Sequence, residues 1–242
     1  MEKKIAFIFI GTDKYVDFFE DYYDSVMSLF LPNESRTIYA FTDDISNDAF
    51  NKKHVEVRQI EHEPWPFITL RRFTYMHGVI DELKKYSDVI FLDADMVVQK
   101  SIDWGHLKYE HFFGVHHPGQ FMYGDGICEY EIDPKSTACT KKTEKEGIKY
   151  RQGCFWGGKN PYICNMIEEL HNCVEKDLDN NFVAAWHDES HLNRFFSDND
   201  ELVVTLHSGF AHPQNWIMPV EKLIVHLDKN MEAFPRFRGG KK

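Results

Sequence analysis

Residues 89–95 read V-I-F-L-D-A-D, an uninterrupted apolar run that ends at two aspartates. Such a run, rich in β-branched and large residues, is typical of a strand that is buried on both faces of a sheet. Ligands of open α/β sheets bind at the carboxyl ends of the strands, where Asp93 and Asp95 fall. If the strand continues through Ala94, both carboxylates point to one side and suit Mg²⁺ or Mn²⁺ with a phosphorylated substrate. The alternative to a metal site is that the two acids simply lie in a solvated turn after the strand.

The first hundred residues alternate between strand and helix patterns. Strands are predicted at 4–10, 37–41, 54–60 and 89–92, and helices at 15–30 and 66–86. This alternation predicts an α/β fold with a mostly parallel, doubly wound sheet.

The second part of the chain continues the mixture of strands and helices. Strands are predicted at 112–117, 150–158 and 202–206, and helices at 160–179 and 188–196. The polar stretch 120–148 has no clear period and predicts a long mobile loop, and a basic tail follows residue 228. Because no repeat or linker interrupts the chain, we expect residues 1–242 to form a single domain.

Charge and cysteine content exclude several classes of function. The net charge of -11 argues against a nucleic-acid partner, although a few local cations could still bind a single nucleotide. Five cysteines without a C-x-x-C pair are typical of reduced thiols in a cytoplasmic protein. The sequence shows no signal peptide and no apolar run long enough to span a bilayer, so we expect a soluble protein.

A second informative cluster is W-H-D-E-S at residues 186–190. It could simply start a helix, with Asp188 or Ser190 as the cap and Glu189 favoured by the helix dipole. It is also the kind of set that binds a sugar, because an indole packs on the ring while carboxylates hold hydroxyls and steady a cationic anomeric carbon.

Taken together, the motifs resemble glycosyltransferase family 6, which includes the histo-blood-group A and B transferases and the alpha-1,3-galactosyltransferases. In order, they are D-A-D at 93–95, H-P-G at 117–119, F-W-G-G at 155–158, and W-H-D-E-S at 186–190 with Asn193. The resemblance runs from about residue 4 to residue 236. D-x-D alone is shared by many nucleotide-sugar enzymes, whereas W-H-D-E-S-x-x-N in this order is highly specific.

The resemblance implies a GT-A fold, with a nucleotide-binding half at about 1–100, an acceptor-binding and catalytic half at about 101–228, and a mobile basic tail at 229–242. It also implies a retaining, metal-dependent transfer of a hexose from a UDP-sugar to a hydroxyl of an oligosaccharide acceptor, forming an alpha-1,3 linkage. UDP-galactose or UDP-N-acetylgalactosamine would be the donor.

The resemblance assigns roles by position. Asp93 and Asp95 would hold Mn²⁺ (or Mg²⁺) on the diphosphate, and Glu189 would be the carboxylate beneath the anomeric carbon. The donor-binding residues would be Tyr15, Arg72, Asp93, Asp95, Asp188, Lys229 and, as a looser match, Arg236. The residues on the acceptor side would be His117, Gln152, Cys154 and Trp186.

Each assignment has a structural alternative. Tyr15 could be an amphipathic helix residue, and Arg72 could be one arm of a surface ion pair. Lys229 could be a solvated tail charge, and His117 before its proline could simply cap a strand.

Two departures from the family pattern bear on function. Many bacterial members carry N-x-N and work without metal, so the two aspartates kept here argue for metal dependence. At the position of Cys154 the family uses glycine or alanine to admit or exclude an N-acetyl group. A thiol is larger than either side chain, so galactose is mildly favoured over N-acetylgalactosamine.

The mammalian members carry an amino-terminal membrane anchor, and this chain resembles the short soluble relatives.

Two alternatives remain open at this point. The wording F-L-D-A-D-M-V-V is also typical of the glycogenin-like and lipopolysaccharide galactosyltransferase group, although the H-x-x-G-x-x-K-P-W signature of that group is missing from this sequence. The other alternative is a nucleotide-sugar-binding or carbohydrate-binding protein without turnover.

Overall fold

A computed structural model describes residues 3–124, 126–141 and 147–229. The strands are β1 (Lys4–Ile10), β2 (Ser35–Thr42), β3 (Val55–Gln59), β4 (Asp88–Leu92), β5 (Met96–Val98), β6 (Phe112–His116), β7 (Arg151–Lys159), β8 (Val203–Leu206), β9 (His212–Pro213) and β10 (Ile224–His226). The α-helices are α1 (Phe19–Leu29), α2 (Phe67–Leu70), α3 (Arg72–His77), α4 (Ile80–Leu83), α5 (Trp104–Leu107), α6 (Pro118–Tyr123), α7 (Tyr162–Asp179) and α8 (His187–Asp198). Short 3-10 helices lie at Asp13–Phe18, Asp48–Phe50, Asp200–Leu202 and Ser208–Ala211.

Within the described residues, seven strands form the main sheet in the order β3-β2-β1-β4-β7-β6-β8. The neighbours from β3 to β4 are parallel, β7 is antiparallel to both β4 and β6, and β8 is parallel to β6. All five residues of β4 are buried, as the apolar run predicts. The predicted α/β fold with a mostly parallel sheet is confirmed.

The core lies on both faces of this sheet. Along β1, Phe7 and Phe9 pack into one hydrophobic cluster and Ala6 and Ile8 into the other, because successive side chains of a strand point to opposite faces. The first cluster also contains Phe155 of β7. The hydrophobic core therefore joins the early strands to the later ones.

The single helix predicted at 66–86 is wrong. This segment forms three short helices instead. Arg71, between α2 and α3, leaves helical geometry (φ −84°, ψ 9°), and α3 is followed by Gly78, a residue of low helix propensity. The break after α2 has a consequence for function. It turns the side chain of Arg72, the first residue of α3, into the interior.

The polar stretch 120–148 also differs from the expectation of a long mobile loop. Its first residues belong to α6, and its described central part has no regular element but is tied to the helices behind it. The Glu131 carboxylate accepts from the backbone N–H of Ala185 at 2.9 Å, and Asp177 on α7 accepts from the Ser136 hydroxyl at 2.6 Å. These buried contacts anchor this part of the chain.

Across residues 3–124, 126–141 and 147–229, no helix combines the length and the apolar character that a bilayer crossing requires.

Candidate active site

A cavity of about 770 Å³ opens at the carboxyl ends of β1 and β4, the edge of the sheet where ligands of α/β folds bind. Most of the residues singled out from the sequence line it: Tyr15, Arg72, Asp93, Asp95, Gln152, Cys154, Trp186, Asp188, Glu189 and Lys229. His117 is not among the lining residues, and Arg236 lies outside the described residues.

The two aspartates reach this cavity from a turn. The idea that the strand continues through Ala94 is wrong, because β4 ends at Leu92 and residues 94 and 95 form the turn into β5. The backbone N–H of Asp93 donates to the carbonyl of Cys154 on β7 at 2.9 Å, which fixes the turn. Both carboxylates still line the same cavity, although they leave a turn and not a strand.

His226 is one residue of this site that the sequence did not reveal. Strand β10 pairs with β5 so that His226 lies opposite Met96, and its Nε2 lies 3.2 Å from the Asp95 carboxylate. One ligand atom each from Asp93, Asp95 and His226 lie within 4.8 Å of one another. Two carboxylates and an imidazole are a donor set that fits a divalent transition metal such as Mn²⁺.

Positive charge already surrounds Asp95. The Lys229 ammonium forms an ion pair with its carboxylate and lies 5.1 Å from the ring centre of Tyr15. Burial alone would raise the pKa of Asp95, but His226 and Lys229 hold it below its ordinary value. Burial would likewise lower the pKa of His226, and Asp95 raises it above the usual range. This corner of the cavity therefore keeps Asp95 ionised, the form that a carboxylate needs to ligate a metal.

Arg72 links the aspartate turn to α8 at the far side of the cavity. Its Nε lies 3.1 Å from Asp188 Oδ2, and one of its terminal nitrogens lies 3.4 Å from Asp93 Oδ1. Its Nη1 donates to the carbonyl of Gly153 on β7 at 2.7 Å, and the guanidinium stacks over the Phe91 ring at 4.4 Å. The alternative of a surface ion pair is wrong, because this side chain is only 5% exposed.

The carboxylates of Asp188 and Glu189 lie in the first turn of α8 and face β7. A side chain at Gly153 would place its Cβ 3.2 Å from Glu189 Cβ and 3.3 Å from Asp188 Oδ2, so a glycine lets the strand approach the helix this closely. The backbone N–H of Gly153 donates to Glu189 Oε2 at 2.7 Å, and the Tyr150 hydroxyl donates to Oε1 at 2.9 Å. Tyr150 was not recognised from the sequence.

Burial dominates the protonation of these two acids. It raises the pKa of Asp188 to about 7, since Asp93 and Glu189 add to the burial effect and together outweigh Arg72. Burial also raises the pKa of Glu189, although the hydrogen bonds from Gly153 and Tyr150 and the charge of Arg72 work against this rise. A positively charged ligand or intermediate next to them would favour their ionised forms.

The simple capping interpretation of residues 186–190 does not describe the start of α8. Trp186 occupies the position before the helix, and its backbone N–H donates to the Ser190 hydroxyl at 2.9 Å, while Asp188 pairs with Arg72 instead. The Trp186 indole lines the cavity and is 46% exposed, so it offers an apolar platform to a ligand.

The other residues predicted on the acceptor side have different surroundings. Gln152 and Cys154 line the cavity, and the Cys154 side chain is buried beside the aspartate turn, which raises its thiol pKa well above the ordinary value. His117 instead caps α6, because its Nδ1 accepts from the backbone N–H of Gly119 at 3.0 Å. Burial lowers the pKa of His117 to about 4.

Two groups of charged residues line this one cavity. The first has His226 and Lys229 beside a pair of carboxylates that could hold a metal, and it suits a diphosphate. The second has the Asp188 and Glu189 carboxylates, which could steady a positive charge on a sugar.

Comparison with known proteins agrees with this geometry. The sequence model of Glycosyltransferase family 6 matches residues 2–205. The O-antigen biosynthesis glycosyltransferase WbnI of Escherichia coli is 32% identical over 232 residues, which cover 95% of this chain and 97% of that protein.

Two animal relatives match over a shorter part of their own length. Histo-blood group ABO system transferase 1 of Rattus norvegicus is 25% identical over 187 residues, 75% of this chain and 53% of that protein. Globoside alpha-1,3-N-acetylgalactosaminyltransferase 1 of Homo sapiens is 28% identical over 196 residues, 77% of this chain and 54% of that protein. The chain thus spans about half the length of these animal relatives.

The D-A-D motif left two transferase groups open, and the family match decides between them. The seven-stranded α/β sheet is the one expected of a GT-A fold. Family and named relatives together make the protein a hexosyltransferase. The chain belongs to glycosyltransferase family 6.

Proposed function

We propose that the protein transfers galactose or N-acetylgalactosamine from UDP to a glycan hydroxyl, forming an alpha-1,3 linkage with retention of the anomeric configuration. One observation carries the proposal. The half-buried Glu189 carboxylate, with a hydrogen bond on each oxygen, lines the same cavity as the Asp93–Asp95 turn. The proposed nucleophile or charge-stabilising group therefore lines the same cavity as the proposed diphosphate site.

On the donor side, the uridine would lie near Tyr15 and the diphosphate near Asp95, with Lys229 as a cationic contact. Arg72 would meet the donor from the opposite side, and Arg236 is a further candidate in the tail. A divalent metal, Mn²⁺ or Mg²⁺, held by Asp93 and Asp95 would neutralise the negative charge that develops on the departing UDP. We add His226 to this ligand set because of its position.

On the sugar side, Asp188 would bind hydroxyls of the donor hexose, and Glu189 would face the anomeric carbon from the side opposite UDP. Its negative charge would stabilise the oxocarbenium character of the transition state or form a covalent intermediate. Trp186 would present its exposed indole to the acceptor, with Gln152 nearby. His117 would contribute through its remaining ring nitrogen, because its Nδ1 is taken by the cap of α6.

Galactose is the donor sugar we favour. The buried Cys154 lines the cavity next to the aspartate turn, where a thiol takes more room than glycine or alanine would. We also propose that residues 1–242 form one domain, and that the protein acts in the cytoplasm, as its cysteine pattern predicts.

The test is a donor screen with UDP-galactose, UDP-N-acetylgalactosamine and UDP-glucose, each with Mn²⁺, with Mg²⁺ and with EDTA. UDP release is measured with and without a panel of galactose-terminated oligosaccharides, and the anomeric proton coupling of the product is read by NMR. An alpha-linked product formed only with metal supports the proposal. UDP binding without release for every donor would instead support a binding protein, and a beta-linked product would exclude retention.

A further inference from the structure

The Glu189 carboxylate is fixed from two points of one short segment. The Tyr150 hydroxyl donates to Oε1 at 2.9 Å, and the Gly153 N–H donates to Oε2 at 2.7 Å. A carboxylate that accepts on both oxygens cannot rotate about its terminal bond without losing one of these hydrogen bonds. Its orientation towards the cavity is therefore set by Tyr150 as much as by α8.

Tyr150 is itself held rigidly, since it is 1% exposed. Its ring packs edge-on against Tyr130, with 5.0 Å between ring centres, and against His117 at 5.9 Å. Its backbone N–H donates to the side-chain oxygen of Gln120, and its carbonyl accepts from the backbone N–H of His117, both at 3.0 Å. The hydroxyl thus meets Glu189 from a pre-organised position.

The electrostatic surroundings make this hydrogen bond consequential. The titratable and charged groups that interact electrostatically with Glu189 are Arg72, Asp93, Tyr150, Cys154 and Asp188. Desolvation and the nearby Asp93 carboxylate raise the pKa of Glu189, and the hydrogen bond that Tyr150 donates opposes this rise. Burial and Glu189 raise the pKa of the Tyr150 phenol well above its ordinary value, so it remains a proton donor at neutral pH.

We propose that Tyr150 is a positioning residue, which holds the Glu189 carboxylate in the orientation that faces the anomeric carbon of the donor sugar. The inference rests on the proposed role of Glu189. Tyr150 is not among the residues that line the cavity, so we expect its hydroxyl to act on transfer through the Glu189 carboxylate that it contacts.

The experiment compares Tyr150→Phe with a matched control, Tyr109→Phe. Tyr109 is also a buried tyrosine whose hydroxyl donates to a buried carboxylate, Asp88, at 2.7 Å. Asp88 begins β4, whereas Asp93 follows the other end of that strand, so the control removes the same kind of hydrogen bond away from the cavity. Both variants and Glu189→Gln are assayed for kcat, donor KM, UDP affinity, melting temperature and the pH profile of kcat.

Tyr150→Phe is expected to lower kcat roughly tenfold or more, the scale of a lost hydrogen bond to a charged group, with donor KM and UDP affinity within about twofold of wild type. The acid limb of its kcat profile should move to higher pH, because losing the donor raises the pKa of Glu189 and the active anion then disappears at a higher pH. Tyr109→Phe should lose a comparable amount of thermal stability but keep the wild-type kcat and pH profile.

Three results would overturn the inference, and they are distinguishable. If Glu189→Gln keeps full activity, the proposed role of Glu189 is wrong and the inference falls with it. If Glu189→Gln is inactive but Tyr150→Phe turns over at the wild-type rate, only the positioning role is wrong. An equal loss of kcat in both tyrosine variants would show that the effect is a general loss of packing.

Discussion

The guanidinium of Arg72 and the carboxylate of Asp188 form a buried ion pair, with Nε 3.1 Å from Oδ2, that joins α3 to α8 across the cavity. The same guanidinium reaches Asp93 at 3.4 Å and the Gly153 carbonyl at 2.7 Å. One side chain thus ties the proposed metal site to the proposed sugar site. Lysine could replace its charge but not its planar set of donors.

Arg72→Lys should therefore impair transfer although it conserves charge. A lysine ammonium cannot keep the contacts with Asp188, Asp93 and the Gly153 carbonyl at once. We therefore expect kcat/KM for the donor to fall by about 10²-fold, with a loss of about 2 kcal/mol in stability. Steady-state kinetics and urea unfolding measure both effects. Arg71, the neighbouring residue, forms partly exposed ion pairs with Glu63 and Glu175. The kcat/KM of Arg71→Lys should therefore stay within about twofold of the wild-type value. Equal behaviour of the two variants would contradict this account.

The raised pKa of Asp188 makes stability depend on pH. Its pKa is about 7 in the folded protein against an ordinary value of 3.8, so the folded state binds this proton more tightly than the unfolded chain. This contribution is fully present below pH 4 and is lost as pH rises through 7. Asp188→Asn lacks this pH-dependent contribution. Its free energy of unfolding, relative to that of wild type, should therefore rise by about 2 kcal/mol between pH 5 and pH 8.

Urea unfolding of the metal-free protein across that pH range tests this expectation. Asp198→Asn, at an exposed ion pair at the end of α8, serves as the control and should show little dependence on pH. A constant difference between Asp188→Asn and wild type would mean that Arg72 keeps Asp188 ionised throughout the range.

Metal removal provides a direct test of the aspartate turn. Turnover should collapse in EDTA and return with Mn²⁺, and Asp95→Asn and His226→Ala should each weaken Mn²⁺ binding by at least tenfold. Titration calorimetry in the presence of UDP measures the affinity. Asp81→Asn, on an almost fully exposed side chain, should bind Mn²⁺ as wild type does. Full activity in EDTA would exclude a metal-dependent mechanism.

The site could be predicted from the sequence where its parts are local. The apolar run of β4 and the acids that follow it are contiguous, and the fragment 186–190 carries its chemistry in five adjacent residues. His226 could not be found in this way, because its place beside Asp95 depends on the pairing of β10 with β5, which no local pattern encodes.

The fold shows the same limit. The main strands follow from apolar runs, whereas the break of the predicted helix lies beside Arg72, whose buried contacts with Gly153 and Asp188 are far away in the sequence. His117 was assigned by its motif, but the motif Pro118–Gly119 starts a helix that the imidazole caps. In both places a long-range contact or a cap overrides the sequence pattern.

Cys154→Gly tests the choice of donor. Removing the thiol should enlarge the cavity next to the aspartate turn, so the use of UDP-N-acetylgalactosamine relative to UDP-galactose should rise by tenfold or more, about 1.4 kcal/mol. The ratio of kcat/KM for the two donors measures this, and Cys164→Ala, a buried cysteine on α7, is the control. A wild-type protein that already prefers the N-acetylated donor tenfold would refute the steric argument.

Glu189→Gln separates catalysis from structure at the start of α8. If the carboxylate only favoured the helix dipole, the variant would keep most activity and lose at most about 1 kcal/mol of stability. If its charge faces the developing oxocarbenium ion, the loss falls on kcat, by about 10²-fold or more, because that interaction is largely confined to the transition state. UDP affinity should barely change, since the proposed UDP contacts are Tyr15, Asp95 and Lys229.

The decisive measurements on Glu189→Gln are the transfer kcat, the UDP dissociation constant and the melting temperature. Glu20→Gln is the matched control, because Glu20 also lies in the first turn of a helix, α1, but at the surface and paired with Lys52. Glu20→Gln should keep the wild-type activity, and its free energy of unfolding should fall by no more than a few tenths of a kcal/mol. A Glu189→Gln protein that folds, binds UDP and transfers sugar at the wild-type rate would remove Glu189 from the mechanism, because both hydrogen bonds that orient it would then serve structure alone.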